Sequence, residues 1–151
     1  MAREHLSEEL KAAGLSFLQA ADEIGLSPQG AMWIRSHALQ DWRYYLVSSL
    51  VDTAGRRKAY QLLIRAFEVG EFPKSMTIED VHLGSPNDPL FQKISRVLEV
   101  DNAIANIGLF QYEDLSLSVI IYRSMKAPPS EREARAVEKR FERTLREKER
   151  A

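Results

Sequence analysis

The stretch from Asp41 to Gly70, DWRYYLVSSLVDTAGRRKAYQLLIRAFEVG, holds the chain's densest run of large apolar side chains, and any fold this chain adopts must bury it. Trp42, Leu46, Ser49 and Leu50 recur three or four residues apart, with Tyr45, Val47 and Val51 widening the stripe. That is the helical period rather than the strand period. The pattern returns at Tyr60, Leu63, Ile64 and Phe67, flanked by Leu62 and Ala66. Gly55 stands between the halves, where a glycine can end one helix and let the next leave at an angle. The spacing therefore predicts a central helical hairpin. Stripes this broad need cover on more than one side, so the other segments are expected to pack around the pair.

The length of 151 residues suits one core, and an apolar share of 44% with 28% charged residues is ordinary for a globular chain. A formal charge of −1 gives no net pull towards nucleic acid or anionic lipid. With no cysteine there is no disulfide framework, thiol chemistry or thiolate metal site. The start, MAREHLSEEL, lacks an apolar core like that of a signal peptide, and no apolar run approaches the roughly 18 residues of a membrane span. A cytoplasmic chain without membrane, metal or cofactor is the expectation.

Leu6 to Gly25 reads as two short helices broken at Gly14. Gly25-Leu26-Ser27-Pro28 reads as a stop followed by a new start, and Ala31, Ile34, Ala38, Trp42, Tyr45 and Leu46 predict a helix continuing over 28–53. Within Phe17 to Ser36, the residues Ala20, Ala21, Ile24, Gly25, Leu26, Ala31 and Ile34 follow a spacing that resembles the helix-turn-helix of DNA-binding regulators. The resemblance implies a recognition helix presenting Gln29, Met32, Trp33 and Arg35 to a DNA groove. Met32 and Trp33 offer little to base edges and Arg35 is the only cation, so helix packing is the main expectation and DNA binding an alternative.

Arg56, Arg57 and Lys58 follow Gly55 and place three cations at a helix N-terminus, against its dipole. One reading is a site for phosphate or another anion; the other is three solvated side chains. Residues 76–83 alternate as a strand, with Ile78, Asp80 and His82 on one face. Asp80 beside His82 is a possible acid–base or metal pair without a third partner, against a plain solvated strand face. Gly84 and Ser85 open a turn that ends with Asp88 capping a helix that starts at Pro89, a second candidate anion cradle lacking any phosphate-loop motif.

Ile104–Phe110 and Leu115–Arg123 predict a β-hairpin, whose second strand turns apolar on its outer face at Ile120 and Tyr122. With the strand near residue 80, this makes a small, mainly antiparallel sheet of three or more strands. Ser130 and Glu133 form a capping box for a last helix reaching Arg150, eight basic and six acidic residues around a narrow stripe of Ala134, Val137, Phe141 and Leu145. Such a helix would dock along one side, on its own domain or on a partner.

The sequence thus predicts an α+β fold in one domain over 1–127, helical over 1–70 and β-containing over 76–124, with a charged C-terminal helix over 128–151. No catalytic motif nominates a nucleophile, and the balance leans away from an enzyme. The expected function is a protein-interaction or self-associating module whose partner is itself or another protein. Its expected interface residues are Trp33, Tyr44, Ile120, Tyr122, Val137, Phe141 and Leu145, since aromatics exceed what one helix face can bury.

Overall fold

The computed structural model describes residues 6–126 and 129–151. Among them the chain is mixed α and β, with five helices and one five-stranded sheet. In chain order these are α1 (Glu8–Glu23), β1 (Gly30–Ser36), β2 (Asp41–Val47), α2 (Leu50–Ala54), α3 (Arg56–Val69), β3 (Val81–Gly84), α4 (Pro89–Val97), β4 (Val100–Tyr112), β5 (Leu115–Ser124) and α5 (Glu131–Arg150). The strand order is β3-β2-β1-β5-β4, antiparallel throughout except for the parallel pair β2 and β3.

The expected central helical hairpin does not form. Its second arm is α3, but its first arm is mostly the strand β2, and the helix expected over 28–53 is instead a β1–β2 hairpin followed by the single turn α2. The cause is burial on both faces of the sheet. Ala31, Trp33, Tyr44 and Leu46 face the main core, while Met32, Ile34 and Val47 join a second apolar cluster under α4. A strand buried on both sides loses its period-two signature and reads as a continuous apolar run. The aromatic and β-branched content of Trp42, Tyr44, Tyr45 and Val47 was the surviving strand signal.

α1, α3 and α5 pack on one face of the sheet and α4 on the other. Gly14 does not break α1, which runs through it under the N-cap of Ser7. A Cβ at Gly14 would stand 2.4 Å from the Tyr122 ring, so the missing side chain lets sheet and helix approach. Gly30 does the same for α4, where a Cβ would meet Phe91 at 2.4 Å. As expected, Asp88 caps α4 with Pro89 in its first turn, Ser130 and Glu133 form the capping box of α5, and β4 and β5 pair as a hairpin.

α5 docks on its own chain. Phe141 and Leu145 are fully buried in the main core, and Arg140 donates to Gly25 O and to Ser27 Oγ at 2.8 Å. That contact holds the 25–28 turn, where Ser27 adopts a positive φ of 44°.

Candidate interaction surface

The aromatic residues expected at an interface are core. Trp33, Tyr44 and Tyr122 come from β1, β2 and β5, and all three are fully buried with their polar tips on α1. Trp33 Nε1 donates to Leu10 O at 3.2 Å, Tyr122 Oη to Lys11 O at 2.6 Å, and Tyr44 Oη to Gly14 O at 2.7 Å. Their rings fill the sheet–helix layer while every donor finds a carbonyl. Burial pushes the Tyr44 and Tyr122 hydroxyls above the ordinary tyrosine range. Ile120, Phe141 and Leu145 are buried as well, and Val137 is half-buried. Of the seven expected interface residues, none presents an open face, because the sheet face that carries Trp33, Tyr44, Ile120 and Tyr122 is covered by α1, α3 and α5, and α5 buries its own Phe141 and Leu145 in the same core.

The helix-turn-helix expectation fails in the same place. Its second helix is the strand β1, Trp33 lies in the core, and Arg35 pairs across from Trp42 on β2 and Ser118 on β5. Gln29 is taken into the sheet end, its N–H donating to Val47 O and its carbonyl accepting from Met125. A recognition helix is absent from residues 29–35, so no groove-reading surface of that kind exists there.

Two of the three cations after Gly55 serve the fold. The Arg56 guanidinium donates to Leu83 O, and Lys58 pairs with Glu142 at 3.0 Å and Glu138 at 3.5 Å on α5. Arg57 is exposed. At the other candidate anion turn, Ser85 Oγ donates to the Asp52 carboxylate at 2.8 Å, which places a negative charge where an anion would sit. Gly84 accepts from Ser48 N.

The Asp80 carboxylate accepts from Thr77 N at 2.8 Å in a capping box. His82 instead lies beside the Tyr45 ring, 4.8 Å between centroids. Burial, then the nearby Arg56 and Arg43 charges, hold its imidazole below the usual histidine range, with Asp88 acting in the opposite sense. His37 Nε2 sits 2.8 Å from Ser118 Oγ at an exposed position, and His5 lies outside the described residues. A polar cleft of about 650 Å³ opens between α2, the 86–87 turn and the start of α5, lined by Asp52, Asn87, Glu131, Arg135 and Lys139 among others. Its lining mixes both charge signs and includes no histidine.

The two edges of the sheet differ sharply. At β3, only four residues long, the outward Leu83 N–H donates to Tyr60 Oη at 2.9 Å and the Leu83 carbonyl accepts from Arg56, so α3 closes that edge with side chains. At the other edge β4 runs for 13 residues, and among the described residues no strand pairs with its outer side. Sheet edges are ordinarily guarded by charge, proline or brevity. From Asn102 to Tyr112 this strand has neither a charged residue nor a proline, and Asp101 is engaged by Arg123 Nε at 2.7 Å. The β4–β5 ladder shifts register between Asp101 and Ala105 and between Ile107 and Phe110, where extra β4 residues bulge out of the ladder, an irregularity that bends a strand and raises its twist.

Exposed apolar side chains gather around this edge. Among the described residues the large exposed ones are Leu39, Ile64, Val97, Leu98, Ile104, Leu109 and Leu115. The last five lie at the end of α4, on β4, or at the start of β5, with Ile104 and Leu109 56% and 62% exposed. No sequence motif announced this; the signal available was an uncharged run in a strand that the fold then places at an edge.

No helix of the described residues is long and apolar enough to cross a membrane, and no group of three or more histidine, aspartate or glutamate side chains among them is arranged to hold a metal ion. Compared with protein families, with curated proteins and with solved structures, the chain finds no match.

Proposed function

We propose that this protein is a non-catalytic protein-interaction module, self-association included, whose contact surface is the outer edge of β4 with the apolar side chains around it. The observation that carries this reading is the contrast between the edges: β3 is closed by Tyr60 and Arg56, whereas β4, uncharged over 102–112 and paired only with β5 among the described residues, carries the exposed Ile104 and Leu109. An extended chain added there would gain main-chain hydrogen bonds for affinity and apolar contacts for selectivity. The bulges limit which strands fit, because a partner must follow the same coiling.

Hydrogen exchange resolved by residue tests the reading. Amides over 102–112 that face outward should exchange fast in dilute protein. They should slow on raising the protein concentration or on adding a peptide selected to bind. If they stay unprotected with every added chain and at every concentration, the surface is not where this module works.

A further inference from the structure

We infer that the occupant of the β4 edge is a second copy of this chain, paired antiparallel to β4 across a two-fold axis near Asn106 and Ile107. This rests on the reading of β4 as the contact surface and names its partner. The five strands of each copy would then form one continuous sheet.

Three features favour a copy over an unrelated strand. The first is charge. Antiparallel pairing about residues 106–107 lays 102–111 of one copy over the same residues of the other, and that span carries no charge, so like charges do not meet along the central rungs and the acidic Glu99, Asp101, Glu113 and Asp114 approach one another only at the two ends. The second is the distribution of apolar surface. Val97 and Leu98 stand before the start of β4, Ile104 and Leu109 flank its middle, and Leu115 pairs with Tyr112 at its far end. A two-fold axis brings the start of one strand to the end of the other, so the Val97–Leu98 end of one copy approaches the Leu115 end of its mate, and Ile104 lies near the mate's Leu109. Each exposed apolar group thereby finds an apolar counterpart, the self-complementarity an isologous interface requires.

The third feature is curvature. The bulges at 101–105 and 107–110 coil β4, and a flat strand would lose register against it. A symmetry mate carries both bulges in reversed order and coils in the same hand. Thirteen residues span about 43 Å, room for a ladder well beyond the five or six residues of a common strand.

The test uses the whole chain. Sedimentation velocity from about 1 to 300 µM should show a monomer–dimer equilibrium with a dissociation constant in the micromolar range. The double variant Ile104→Lys and Leu109→Lys changes only exposed positions and places four cations around the axis of the dimer. It should raise the dissociation constant at least about tenfold while keeping the wild-type circular dichroism and unfolding midpoint. As a control, Ile64→Lys, an exposed position on α3 away from this edge, should leave association unchanged.

A wild-type chain that stays monomeric at the highest concentration overturns the inference. So does a dimer that the double variant leaves intact. If the chain is monomeric but a selected peptide protects the 102–112 amides, the partner named here is wrong and the contact surface stands. Should neither concentration nor peptide protect those amides, both fall together.

Discussion

Single residues in this protein are constrained mostly by what they let approach. Gly14 is the clearest case, because alanine has the better helix propensity by about 1 kcal/mol, yet its Cβ would overlap the Tyr122 ring. Overlap wins, since moving the ring also removes the Tyr122–Lys11 hydrogen bond. Gly14→Ala should therefore lower stability by about 1–3 kcal/mol in urea unfolding, and a gain would refute the close approach. His82 sets a pH dependence at the same scale. Its folded-state imidazole is held below the unfolded value, so the unfolded chain binds the extra proton. Its contribution is complete above the unfolded pKa near 6.5 and is lost as pH falls from there towards the folded value. His82→Gln should flatten that part of the stability profile between about pH 7.5 and 5.5; an identical slope in both proteins would show that His82 does not contribute.

Among the elements, α5 shows how a strongly charged helix is held by few apolar residues. Phe141 and Leu145 are fully buried, whereas Lys58, Arg65 and their glutamate partners are a fifth to a half exposed. Phe141→Ala should thus cost about 3–5 kcal/mol by chemical denaturation, and Lys58→Ala far less, because its solvated ion pairs are screened. The reverse order would mean that ion pairs rather than packing dock the helix. The Ser130–Glu133 capping box, the Asp88 cap and the β4–β5 hairpin were readable in the chain because each depends on neighbours within a few residues. β1 and β2 were not, because α4 covers the sheet face that a surface strand would have shown to water.

For the whole molecule, charge is spent inwardly. Arg123 donates to Asp22, Asp101 and Pro28 O, joining α1, β4 and the turn before β1, while Arg56 and Lys58 bind the chain's own groups. With a net charge of −1 and no recognition helix at 29–35, the protein should pass through heparin at about 0.1 M salt; retention that falls steeply with salt would contradict this. Sequence alone determined the α+β class, α3, the last helix with its cap and the terminal hairpin, since local periodicity and capping chemistry act over a few residues. Only the tertiary structure decided that Trp33, Tyr44 and Tyr122 are core, that β1 and β2 are strands, and that β4 is the open edge. Those outcomes depend on which segments cover each face and border of the sheet, an arrangement made by residues far apart in the chain and carried by no local pattern.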